Sequence, residues 1–164
     1  MKNSIIIVLL LLHFHAFSQE KSFPKITGYV GIFHPIVTFG NGEPKYNFNG
    51  SYTGGLPTGI NIWKSHRIGF SFEVVPTITA SGGASKMSNF LFHPGLLVSL
   101  GKGFTLANRL AFETSGRYGF TPVLNKAVFK RKDHGYFVAV PFPARFGNNI
   151  AATVGVGLQV GVTF

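Results

Sequence analysis

VGVGLQVGVTF, residues 154–164, carries a large apolar side chain at every second position. Upstream the rhythm continues: Ile150, Ala152, Val154, Val156, Leu158, Val160, Val162 and Phe164 alternate with Ala151, Thr153, Gly155, Gly157, Gln159, Gly161 and Thr163. Successive side chains of a strand point to opposite faces, so this spacing predicts a two-faced ribbon of about fifteen residues. Globular strands average about 5–6 residues. A strand this long, apolar along one whole face, needs an apolar surrounding on that side.

The composition points the same way. Of 164 residues 45% are apolar and 12% charged, whereas an ordinary soluble domain carries roughly 25% charged residues. So few charges predict that much of the surface does not face water, and the apolar content excludes a disordered chain. The length predicts one domain. A net charge of +10 suits nucleic acid or anionic lipid. No recognition helix, zinc spacing or RNP-like strand pair is present, so no nucleic-acid partner is expected, and lipid or lipopolysaccharide phosphates fit better. The absence of cysteine excludes disulfides, thiolate metal sites and Cys nucleophiles.

Residues 1–18, MKNSIIIVLLLLHFHAFS, join Lys2 to the apolar run Ile5–Leu12 and then to Ala16 and Ser18. This predicts a cleaved signal peptide; the run is far shorter than the roughly 20 residues of a spanning helix. The mature domain is then 19–164.

Within it the alternation recurs. Ile68, Phe70, Phe72, Val74, Pro76 and Ile78 oppose Gly69, Ser71, Glu73, Val75, Thr77 and Thr79. Similar rows run through SYTGGLPTGINIW (51–63), SNFLFHPGLLVSL (88–100, with Leu91 and Leu97 as exceptions), FTLANRLAFETSGRY (104–118) and YFVAVPFPARF (136–146). KITGYVGIFHPIVTF (25–39) is apolar on both sides and gives no orientation. These strands with the last make seven, and bacterial single-chain barrels have an even number, so an eighth is expected at Phe120–Lys130 despite its poor alternation. Only a closed sheet satisfies its backbone in lipid. The expected fold is therefore all-β: a closed antiparallel up-and-down transmembrane β-barrel of eight strands. KSHR (64–67), GKG (101–103) and RKDHG (131–135) would be periplasmic turns, and 39–50, SGGASKM (81–87) and GNN (147–149) external connections. Five prolines, Pro57, Pro76, Pro94, Pro141 and Pro143, fall inside these strands, where bulges or open pairing are expected.

The signal peptide, the strand rhythm and the alternating last strand ending in Phe164 resemble the small outer-membrane β-barrel family of Gram-negative bacteria. RLAFETSGRYGFTPV and PARFGNN resemble segments of Bacteroidota members. The resemblance implies an outer-membrane location, with outer-membrane lipid, lipopolysaccharide and the barrel-assembly machinery as partners. It also implies an assembly signal at Val156, Leu158, Val160, Val162 and Phe164.

An eight-stranded barrel is just wide enough to be filled by side chains. The alternation points Glu73, His93, Arg109, Glu113, Arg117, Arg145 and Gln159 inward, where sealed charges must pair. The expected role is a polar plug in a non-enzymatic protein with a structural or surface-interaction role. A narrow solute channel is the alternative. A lipid-modifying enzyme could draw on His93 with Ser71 or Ser99 and Glu73 or Glu113, but inventory is not geometry and no GxSxG elbow is present. The histidines are scattered, so no metal site is expected, nor any cofactor. GKGFT lacks the spacing and the helix of a phosphate loop. The basic run KAVFKRK is a solvated turn, or a contact for lipid phosphates or for a periplasmic partner. Gly157, on the lumen side, is expected to tolerate serine better than Val156 tolerates arginine.

Overall fold

The computed structural model describes residues 23–164; the expected signal peptide at 1–18 lies outside the described residues. The strands are β1 (Lys25–Gly40), β2 (Glu43–Tyr46), β3 (Ser51–Gly55), β4 (Thr58–Trp63), β5 (Ile68–Ser81), β6 (Ala84–Gly101), β7 (Phe104–Glu113), β8 (Tyr118–Lys130), β9 (Gly135–Pro141), β10 (Ala144–Phe146) and β11 (Thr153–Thr163). Every pairing is antiparallel, and β11 returns to pair with β1 from Tyr29↔Thr163 to Gly40↔Thr153. The sheet therefore closes on itself.

Eleven strands make a ring of eight staves because two of the staves are each interrupted at a proline and β2 stands off the ring. β3 and β4 keep one register against β5, Gly55 facing Thr77 and Thr58 facing Val74. The break falls at Leu56–Pro57. β9 and β10 likewise share one register against β8, with Pro141 facing Val123 and Ala144 facing Phe120. A proline can accept a ladder bond but cannot donate one. Pro57 O accepts from Gly31 N at 2.8 Å and Pro143 O from Gly155 N at 2.9 Å, so both breaks keep their carbonyl bonds. Elsewhere the register slips between Pro35 and Val37 in β1 and between Thr77 and Ile78, beside Pro76, in β5. β2 is a spur, paired to Val37–Gly40.

Paired residues lead around the ring from Lys25 through Trp63, Gly69, Leu97, Ala107 and Val123 to Pro141. Gly157, opposite Pro141 in the β9–β11 register, pairs with Pro35, so the circuit returns ten residues further along β1. Eight staves with that stagger tilt by about 40° for strands about 4.8 Å apart rising about 3.3 Å per residue.

The eighth stave is β8, starting at Tyr118, and three expectations about connections are corrected. FTLANRLAFETSGRY is not one strand: β7 ends at Glu113 and a turn follows, so Arg117 sits at the rim. SGGASKM is a tight hairpin turn and not a seven-residue loop: Gly82 and Gly83, with φ of 58° and 79°, make a two-residue turn and β6 begins at Ala84. Residues 39–50 are not all loop, since they contain β2.

The two faces of the ring are chemically inverted relative to a soluble protein. Along β7, Arg109 is 6% exposed and its neighbour Leu110 57%. Phe70, Phe72, Phe92, Leu96, Val98 and Phe120 stand on the outer wall. Inside, Tyr29, Leu97, Ala107, Val123, Phe137 and Ala139 form an apolar layer, and above it, away from the chain termini, lie the charges. Leu91 and Leu97, exceptions in the sequence pattern, are buried inward.

Candidate functional site

The inward row of each stave brings one or two polar side chains to a common level, because neighbouring registers place them side by side. Glu73 on β5 faces His93 on β6, and Gly95 on β6 faces Arg109 on β7. A Cβ at Gly95 would meet the Asn108 carbonyl and the Cγ of Arg109, so the glycine makes room for the aliphatic stem of that arginine.

Glu73 is the hub. Oε1 receives His93 Nδ1 at 3.0 Å and stands 3.6 Å from Arg109 Nη1, while Oε2 accepts the Tyr29 hydroxyl at 2.9 Å. Arg109 donates to Ser71 Oγ at 3.2 and 3.3 Å and to Tyr29 Oη at 3.1 Å. On the other side of the imidazole, Arg145 Nη2 lies 3.1 Å from His93 Nε2. Arg145 then reaches Glu113 Oε1 at 2.7 Å through Nε, and the Phe120 carbonyl and Thr121 Oγ1 through Nη1. Glu113 also accepts from Asn89 at 2.6 Å and Ser115 at 2.9 Å. The result is one chain of ion pairs and hydrogen bonds, Arg109–Glu73–His93–Arg145–Glu113, running from mid-lumen to the rim. Two carboxylates meet two guanidiniums, so the buried charge closes.

Guanidinium is donor-only and carboxylate acceptor-only. His93 Nε2 must therefore accept from Arg145 and Nδ1 donate to Glu73, which assigns a neutral ring with its proton on Nδ1. No lone pair is left to activate a hydroxyl. Ser71 points to Arg109, and Ser99 lies about 20 Å along the strand from His93. The geometry assembles no Ser–His–acid relay. Among the described residues no three His, Asp or Glu side chains converge on a metal position; His34 instead bonds Tyr52 Oη at 2.6 Å, and His66 and His134 lie against aromatic rings.

Of the residues placed inward by alternation, Glu73, His93, Arg109, Glu113 and Arg145 join this network. Gln159 is buried beside it, lining two small cavities of about 70 and 50 Å³. Arg117 is the exception. From the β7–β8 turn it spans the rim, donating to the Arg145 and Ala151 carbonyls and to Thr153 Oγ1, each at 3.1 Å. Tyr29 also belongs to the network; its strand is apolar on both sides, so alternation assigns it no face. The 70 Å³ cavity is lined by Asn61, Asn125 and Thr105. Asn61 Oδ1 is buried without a protein partner, and the space suffices for the water that would satisfy it.

At the C-terminal stave, Leu158, Val160 and Phe164 are exposed on the outer wall, with Val156 and Val162 half-buried. Phe164 pairs with Gly28 through bonds of 2.8 and 3.0 Å, and its ring covers the place where a Gly28 side chain would stand.

No protein-family profile matches the chain, and no curated protein matches it. Among solved structures it is similar to the solution NMR structure of de novo designed TMB2.3, with 10% identity, a TM-score of 0.42, and coverage of 89% of this chain and 97% of that one.

Proposed function

We propose that this is a non-enzymatic outer-membrane β-barrel protein of a Gram-negative bacterium, of the small Bacteroidota-type family, with a structural or surface-interaction role and a lumen plugged by ion pairs. One observation carries the reading: the ring is inside out, with Phe70, Phe72, Phe92, Leu96 and Leu110 exposed on its wall and Glu73, His93, Arg109 and Arg145 buried within. Water would drive the opposite arrangement. Hydrocarbon around a closed sheet favours this one, since no strand edge is left unpaired in lipid. The inferred tilt of about 40° falls within the range of such barrels.

In this orientation the end holding Lys25 and Phe164 faces the periplasm, and the β1–β3, β5–β6, β7–β8 and β10–β11 connections face outward to lipopolysaccharide. The alternating β11 with Phe164 is the segment the barrel-assembly machinery would read. The lumen network leaves two cavities no larger than a few waters, which favours a plug over a solute channel.

The test is to refold the mature chain into phosphatidylcholine vesicles. A closed barrel migrates faster unheated than boiled on a gel and resists protease in the vesicle. A monodisperse protein in detergent-free buffer overturns the reading. In planar bilayers the plug predicts no steady single-channel current; regular unit steps would establish the channel instead.

A further inference from the structure

The charges at the two rims are unequal. At the end holding the termini, the β6–β7 turn and the β8–β9 hairpin gather Lys102, Lys126, Lys130, Arg131 and Lys132 against one acid, Asp133. Lys64 and Arg67 lie at the same end in the β4–β5 turn. The opposite rim carries Lys45, Lys86 and Arg117 with Glu43 and the inward Glu113.

The cluster is also lateral. β7 begins at Phe104, opposite Lys126, so β8 from Ala127 to Lys130 extends past its neighbour as an arm. Two of the cations sit against outward rings. Lys126 Nζ lies 4.2 Å from the Phe104 ring centre, and Arg131 5.4 Å from that of Phe129. Phe129, His134 and Tyr136 pack together beside them, with centroids 5.7–6.3 Å apart, and Phe129 and Tyr136 are exposed. Aromatic rings with an apolar body and a polar tip suit the membrane interface, and long cationic side chains reach from apolar wall to headgroup. A partner docking on the mouth of the ring would meet cations over the lumen; these lie over the wall.

We propose that the β8–β9 arm and the β6–β7 turn form a one-sided binding surface for the phosphates of anionic phospholipids in the leaflet at the terminal end. The surface rests on the membrane reading above. Its ligand chemistry is the phosphodiester with a net negative headgroup, drawn by charge and held by several lysines and one arginine.

The test uses the full mature chain refolded in phosphatidylcholine vesicles containing trace spin-labelled phosphatidylglycerol or spin-labelled phosphatidylcholine. At low salt the protein is expected to immobilise the anionic lipid about threefold or more in preference to the zwitterionic one, an enrichment that fades as salt screens it. The quadruple variant K126Q/K130Q/R131Q/K132Q should lose the preference, while K45Q/K86Q at the opposite rim should keep it. Equal immobilisation of both lipids by the wild type, or a preference surviving in the quadruple variant, overturns the proposal while leaving the membrane reading intact. Failure to insert and to immobilise either lipid overturns both.

Discussion

Arg145 Nη2 stands 3.1 Å from His93 Nε2, and His93 Nδ1 stands 3.0 Å from Glu73 Oε1. One imidazole thus joins a guanidinium to a carboxylate that do not touch each other. Removing His93 splits the lumen network into two halves, Arg109–Glu73 and Arg145–Glu113, each still neutral. Removing one charge strands its partner.

That difference makes a prediction. Glu73→Ala leaves the Arg109 charge unpaired and the Tyr29 and His93 donors without an acceptor, and is expected to destabilise the protein by about 3–5 kcal/mol. His93→Phe, which removes no charge, should cost less. Urea unfolding in lipid vesicles, followed by Trp63 fluorescence, measures both, and equal losses would contradict the assigned neutral tautomer.

The outer wall gives a second. Phe92 lies midway along β6, 44% exposed, and Phe92→Arg is expected to destabilise by about 2–4 kcal/mol in vesicles if hydrocarbon surrounds it. Leu100→Arg, next to the β6–β7 turn, should cost about 0–1 kcal/mol. A flat response along the strand would speak against a membrane-spanning wall.

Gly157 corrects an expectation of tolerance. A Cβ there would meet the Phe33 ring and the His34 carbonyl. Gly157→Ser is therefore predicted to destabilise by about 1–3 kcal/mol through overpacking, comparable to a charge on the wall. The same unfolding assay checks it; an unchanged midpoint would mean that this seam is looser than described.

A fourth prediction concerns the gap between β2 and β3. Here the Asn47 side chain acts as a strand, its Nδ2 donating to Thr53 O and its Oδ1 accepting from Thr53 N, both at 2.8 Å. Asn47→Ala removes both bonds and is expected to cost about 1–2 kcal/mol. Hydrogen exchange should speed up at Thr53 while the β5–β6 ladder stays protected; uniform acceleration would refute a local clip.

Alternation made the wall legible in the sequence, because a two-residue period assigns each side chain a face without any knowledge of its neighbours. That sufficed to send Glu73, His93, Arg109, Glu113, Arg145 and Gln159 inward. It sent Arg117 inward too, but the structure has this half-buried side chain at the rim, after the turn that ends β7, and outside the network. It was silent for Tyr29, whose strand is apolar on both faces and slips register between Pro35 and Val37.

The sequence by itself determined the strands, their two faces and the chemical contrast between them, since these are local consequences of side-chain spacing. Which buried charge meets which was decided only by the tertiary structure. Partners there are set by register and by a ten-residue stagger accumulated around the whole ring, so a one-residue slip in one stave would turn that stave's inward groups outward. The same holds for Phe164 over Gly28: its place depends on the last strand meeting the first, a contact between the two ends of the described chain.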